Sequence, residues 1–269
     1  MSNIINAIYN IRQFDELASR DSFIHRLHPL AKLLATLVYT VLLVSYDKHA
    51  TIALLPLVFF PVFVAAAAKI PPGPLLKRLL YIEPMIVGIG LLNPLFDHST
   101  VNILGYTMSS GWLIFLSIFL KGTLAVTSAL LLIATTGMEG VALSLRKLKV
   151  PRIFVLQTIL TYRYISVLLE EAARTVQAHA LRAFSSQGLK REVWGPLLGQ
   201  ILIRTMDRAQ RVYDAMCLRG FRGEYHTGKG PGTGWGDTMY VLTWGAFFIL
   251  SRLINLPLWL GNVMTGVSR

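Results

Sequence analysis

The chain has 269 residues, 54% of them hydrophobic and only 15% charged, with a mean hydropathy of +0.54; this excludes an ordinary water-soluble domain and points to a membrane. The formal net charge is nevertheless +12, so the cations must be concentrated outside the apolar segments. One cysteine, Cys217, excludes an internal disulfide framework and suits a reducing compartment.

The chain starts with a polar stretch of mixed charge, MSNIINAIYNIRQFDELASRD, which lacks the pattern of a signal peptide and is expected on the cytosolic face. Four apolar runs follow, predicted to span the membrane at about 29–46, 50–68, 79–96 and 112–136. Each approaches the ~20 residues needed to cross hydrocarbon. A fifth, from Thr238 to about Leu256, comes after a long polar block. Pro56, Pro61, Pro84 and Pro94 lie within or at the ends of these runs, where neighbouring helices can satisfy the freed carbonyls.

Basic residues set the expected orientation. Arg12, Arg20, Arg26 and Lys32 precede or begin the first run, Lys69, Lys77 and Arg78 lie between the second and third, and residues 137–230 hold 15 Lys or Arg against 7 Asp or Glu. All three sets fall on one side, which the positive-inside rule makes cytosolic, with the N-terminus in and the C-terminus out. The apolar stretch Pro151–Leu169 carries Arg163 at its centre, so it is read as lying along or under the membrane rather than crossing it. Glu83 and Lys121 fall inside runs but at different depths by helical rise. No salt bridge is expected between them: Glu83 is placed near the inner interface, and Lys121 is expected to snorkel or to meet a partner subunit.

The polar block repeats itself. Glu170, Arg174, Ala178 and Leu181-Arg182-Ala183-Phe184 recur, with constant spacing, as Asp207, Arg211, Ala215 and Leu218-Arg219-Gly220-Phe221. An acid four residues before an arginine is the favourable helical order, so each copy reads as the end of a polar-faced helix. The second helix is expected to open at Pro196 and close at Gly220, with Leu198, Ile201, Leu202, Thr205, Ala209, Val212, Tyr213 and Met216 on one face. The first starts near Pro151 and meets no breaker until Gly188. The Gly- and Pro-rich segment 222–236 reads as a linker.

Catalytic patterns are wanting. Gly223-x-x-x-x-Gly228-Lys229 is followed by Gly230 where a phosphate-binding loop needs serine or threonine, and it follows a helix instead of a strand. The histidines are scattered; His25 and His28 have helical spacing but no third ligand nearby. No catalytic residue, metal site or cofactor is assigned, and if the protein uses ATP, another chain hydrolyses it. Basic amphipathic helices also suit a lipid surface or a nucleic acid, but neither calls for a duplicated Leu-Arg-small-Phe, and no nucleic-acid partner is expected.

The doubled Leu181-Arg182-Ala183 and Leu218-Arg219-Gly220, at the ends of two successive long helices after four apolar runs, resemble the paired arginine motifs of the transmembrane T component of energy-coupling factor (ECF) transporters, the EcfT/CbiQ family. The stretch Ser22 to Leu34 is similar to that family's Leu-Asp-Pro-Arg-x-Lys lead-in to the first span, with His28 in place of the aspartate and Leu30 in place of the arginine; Asn93-Pro94-Leu95-Phe96 also fits. The resemblance implies a non-enzymatic scaffold that docks two cytosolic ABC-type ATPases through Leu181, Arg182, Ala183, Phe184 and Leu218, Arg219, Gly220, Phe221. It further implies a membrane S component that binds a vitamin or a transition-metal ion, with a lean toward cobalt.

The fold expected is therefore all-α: a polytopic protein of the cell membrane with about five transmembrane helices and long cytosolic amphipathic coupling helices. Residues 1–136 carry the N-terminal segment and spans one to four, 137–221 the coupling helices, 222–236 the linker, and 237–269 the last span and C-terminus. The competing class is a stand-alone membrane enzyme or channel with a basic lipid-binding hairpin.

Overall fold

Proline and glycine decide where the apolar runs become helices. The computed structural model describes residues 13, 15–47, 52–96, 100–103, 106–182, 191–223 and 234–254. In chain order the elements are α1 (Phe23–Arg26), α2 (Pro29–Ser45), a 3₁₀ segment (Ile52–Val58) running into α3 (Phe59–Ala67), α4 (Pro72–Phe96), strands β1 (Thr100–Ile103) and β2 (Tyr106–Ser109), α5 (Ser110–Lys147), α6 (Arg152–Arg182), α7 (Arg191–Leu218) and α8 (Trp235–Ile254). Helices α4, α5 and α6 are long and apolar enough to cross a membrane, and Pro29–Ser45 and Ala53–Ala67 are shorter apolar helices. The protein is an all-α membrane protein.

Several boundaries differ from those read in the sequence. The second run is not one α-helix: Pro56 sits in a 3₁₀ stretch, because proline cannot donate to the α-helical ladder and its ring crowds the preceding turn. Helix α4 begins at Pro72, seven residues before the predicted span, since proline is pre-organised for a first turn; it then continues through Pro84 and Pro94. Helix α5 extends past 136 to Lys147, broken at Gly137, whose φ of 70° and ψ of 156° are not helical. Helix α7 starts at Arg191, five residues before Pro196, which lies inside it. The linker read as 222–236 gives way to α8 at Trp235. The antiparallel hairpin of β1 and β2, with Thr100 opposite Ser109 and Ile103 opposite Tyr106, was not legible as strands; at four residues each they leave the class unchanged.

Backbone contacts divide the chain into two units, Leu17–Gly137 with Pro231–Arg269, and Met1–Glu16 with Met138–Gly230. In the first, an aromatic core joins α2, α3 and α8. Tyr39 is fully buried, its ring 4.7 Å from Phe60 and 5.4 Å from Phe248, while Trp244 meets Phe60 edge-on at 4.8 Å. The Tyr39 hydroxyl donates to the Leu57 carbonyl at 3.2 Å, giving the ring's polar end a partner. Helices α4 and α5 come very close at Gly111, where an added Cβ would lie 2.6 Å from the Pro94 Cα.

A polar hub sits in the same unit. Pro29 occupies the first turn of α2, and His28 caps it by accepting from the Leu30 N–H through Nδ1 at 3.0 Å. The Asp237 carboxylate accepts from the His28 N–H at 2.7 Å and from the Gly234 N–H at 2.8 Å, so one side chain caps α8 and ties it to the start of α2. Lys32, one turn on and 4% exposed, donates to the Thr135 carbonyl at 2.8 Å and feels the Asp237 charge. The imidazole thus supplies the capping acceptor that an aspartate supplies by its carboxylate.

Glu83 and Lys121 do not pair. Thr123 Oγ1 lies 2.9 Å from Glu83 Oε1, whereas Lys121 Nζ reaches back to the Tyr46 carbonyl at the C-terminal end of α2. The ammonium of Lys121 thus ends at a helix C-terminus, which attracts cations.

Candidate functional site

The second unit carries the repeated arginine motif. A turn made by Leu148, Lys149 and Val150 ends α5, and Val155 and Ile159 of α6 pack with Ala142 as a small core beneath Leu143, Leu145 and Val150. This core fixes the start of α6. Further along, the Tyr162 hydroxyl donates to Asp15 Oδ1 at 2.7 Å, holding the N-terminal segment against the middle of the helix.

Helices α6 and α7 lie against each other. Their facing sides enclose an open apolar groove of about 490 Å³, between Leu160, Tyr164 and Leu168 on one helix and Ala209, Val212 and Met216 on the other. The α7 side uses the face that the three- and four-residue spacing marked. Polar residues join the helices at the groove's edge: Arg204 Nη1 lies 2.7 Å from Glu171 Oε1. The Glu171 side chain is 19% exposed and that of Arg204 52%. The guanidinium, by hydrogen bond and charge, holds the Glu171 carboxyl below the usual glutamate range. Spacing alone missed this pair, whose members belong to different helices. Its nearest signal was the neighbouring Glu170 and Arg174, which do make an i,i+4 contact but at 3.9 Å.

The end of α7 shows what the Leu-Arg-Gly-Phe sequence does locally. Gly220 has φ of 82°, the Phe221 N–H donates to the Met216 carbonyl at 3.0 Å, and the Gly220 N–H donates to the Cys217 carbonyl at 3.0 Å. These two bonds and the left-handed glycine form a Schellman cap. The glycine is required by φ, since a left-handed L-residue costs ~1–2 kcal/mol. Stopping the helix there leaves Leu218 90% exposed and Arg219 exposed beside it, with Phe221 turned back and half-buried. At the end of α6, Leu181 is 82% exposed and Arg182 is exposed as well. Ala183 and Phe184, the remainder of the first copy, lie outside the described residues.

Each helix thus ends on a leucine and an arginine that stand exposed among the described residues. A leucine exposed to that degree beside a permanently charged planar fork has the chemistry to meet an apolar pocket and a carboxylate. Among the described residues no group of three His, Cys, Asp or Glu side chains could hold a metal ion.

Comparison with known proteins gives this arrangement its relatives. The family profile CbiQ, described as cobalt transport protein, matches residues 20–229. The chain is 30% identical over 225 residues to the energy-coupling factor transporter transmembrane protein EcfT of Streptococcus thermophilus, covering 76% of this chain and 82% of that one. It is 29% identical over 218 residues to EcfT of Bacillus subtilis, covering 75% and 82%, and 28% identical over 257 residues to EcfT of Acidaminococcus fermentans, covering 88% and 90%. The profile match takes in α6, α7 and both arginine motifs, and the chain belongs to the EcfT/CbiQ family of transmembrane components of energy-coupling factor transporters.

Proposed function

We propose that this protein is the T component of an ECF-type importer, coupling ATP hydrolysis by two partner ATPases to uptake of a vitamin or transition-metal ion bound by an S component. It is itself non-catalytic. Cobalt is the candidate cargo that the family description names. The observation that carries the docking role is the exposure of Leu181-Arg182 and Leu218-Arg219 at two helix ends. On this reading Leu181, Arg182, Ala183 and Phe184 engage one ATPase, and Leu218, Arg219, Gly220 and Phe221 the other. The apolar groove between α6 and α7 is the face through which a change in the ATPase pair reaches the membrane subunits.

The placement of α6 follows from two details. Exposed Arg163 would face hydrocarbon if the helix crossed the membrane, at a cost on the order of 2.5–3.5 kcal/mol. The adjacent Tyr162 bonds Asp15 of the polar N-terminal segment. We therefore place residues 137–221 on the cytosolic side with the N-terminus, and the membrane spans in 1–136 and 237–269. Pull-down of the ATPases by the full chain, with Arg182→Glu and Arg219→Glu variants, tests the reading. Retention of both ATPases by the double variant would overturn it.

A further inference from the structure

The unit formed by Leu17–Gly137 and Pro231–Arg269 contains a groove of its own. It has a volume of about 320 Å³ and runs between α3, the start of α4 and α5, with Val62, Ala65, Ile70, Leu76, Leu124 and Leu130 in its walls. Its one hydroxyl, Thr127, is already committed to the Thr123 carbonyl at 2.6 Å. A water molecule needs two to four polar partners to be held, and this groove offers none. Its occupant must be hydrocarbon. From Val58, at the end of the 3₁₀ segment, the lining extends along α3 to Ala65, about 10 Å by helical rise, which is most of one leaflet's depth of about 15 Å.

One end of the groove is basic. Ile70 and Pro72 close it, directly after Lys69, which holds a left-handed conformation with φ of 51°. The Ile70 N–H donates to the Ala65 carbonyl at 3.2 Å and the Lys69 N–H to the Ala66 carbonyl at 3.1 Å, fixing that turn. Arg20 donates through Nη1 to the Lys69 carbonyl at 3.3 Å, which brings a second cation to the same spot; both side chains are exposed. The acid next to Arg20 does not cancel them. Asp21 is taken by Arg26 through two hydrogen bonds of 3.0 Å, and that guanidinium holds its carboxyl below the ordinary range.

We infer that this groove is a site for an anionic phospholipid, with one acyl chain lying along α3 and the phosphate between Arg20 and Lys69. A zwitterionic lipid has the same chain, but its own cation opposes the basic pair; charge complementarity therefore selects the anionic lipid. The proposal does not depend on the ATPase-docking role.

The test uses the full chain in a non-ionic detergent, incubated with phosphatidylglycerol or phosphatidylcholine of identical acyl chains, with retained lipid measured by native mass spectrometry. Phosphatidylglycerol should be retained about 25-fold more than phosphatidylcholine, each surface cation contributing roughly fivefold. Arg20→Gln with Lys69→Asn, asparagine being tolerated in the left-handed region, should bring the two lipids to parity. Ala65→Trp, which fills the groove, should release both. Because Ala65→Trp alters a packed helix, the charge variant, confined to exposed positions, decides on its own. Equal retention of the two lipids by the native chain, an undiminished phosphatidylglycerol preference in the charge variant, or displacement by soluble glycerol phosphate as effective as by lipid would overturn the site.

Discussion

Arg204 and Glu171 join the two arginine helices at 2.7 Å, one side chain from each. The pair sits partway along α7, about four turns before Arg219, so it governs how the helices lie against each other and not what their ends bind. Arg204→Glu should loosen the helix pair, and the exchange Glu171→Arg with Arg204→Glu should restore it. Partly exposed pairs of this kind give coupling energies of about 0.2–1 kcal/mol, readable in a double-mutant cycle on thermal unfolding. A coupling of zero would mean the contact is incidental. Because Glu171 titrates below its ordinary range, its contribution is present above the unfolded-state value and lost as pH falls through the lower, folded-state value.

The second prediction concerns the hub. Lys32 is buried against the Thr135 carbonyl and the Asp237 charge, so Lys32→Met leaves a carboxylate without its cation. Removing one partner from a buried charged arrangement costs on the order of 3–5 kcal/mol. Asp237→Asn keeps an acceptor for the His28 N–H and should cost less. The double change should cost less than the two single losses added together, measured by thermal unfolding in detergent. Strict additivity would show that the two residues act separately.

Much of the fold was legible because apolar runs and breakers report directly on helices. Pro29 and Gly220 mark true ends, whereas Pro72 opens its helix ahead of the predicted 79 and Pro196 lies inside its own. The hub was not legible: His28, Lys32, Thr135 and Asp237 are far apart in the chain, and only the packing of α2 against α8 and α5 brings them together. For the same reason Glu171 and Arg204 escaped a reading based on local spacing. The sequence identified the repeated motif and closed its second helix at Gly220, but did not reveal the form of the cap. That follows from a φ of 82° and two backbone bonds, neither of which spacing reveals.

Gly220 therefore gives a third prediction. Gly220→Asn, able to adopt the left-handed conformation, should keep the end of α7 and the display of Arg219, whereas Gly220→Val should fray it at a cost of ~1–2 kcal/mol. ATPase binding should follow the same order. Equal binding by both variants would show that the cap does not position the arginine.

A fourth concerns close packing. Alanine is the better helix former by ~1 kcal/mol, yet a Cβ on Gly111 would lie 2.6 Å from the Pro94 Cα, a backbone atom that cannot turn aside. Gly111→Ala should destabilise the membrane unit by about 1–3 kcal/mol. An increase in unfolding temperature would mean that α4 and α5 have room there.

The most direct test of the docking role is ATPase pull-down by Arg182→Glu, Arg219→Glu and the double variant, with Arg211→Glu as the control. Arg211 is exposed on α7 and lies outside Leu-Arg-Gly-Phe; Arg204 cannot serve, being engaged with Glu171. Loss of one partner from a buried interfacial pair costs on the order of 2–5 kcal/mol, more than tenfold in affinity. Each single reversal should weaken one attachment, the double should release both ATPases and abolish uptake in vesicles, and Arg211→Glu should stay near the native level. Normal assembly and transport by the double variant, or an equal loss in Arg211→Glu, would contradict the account.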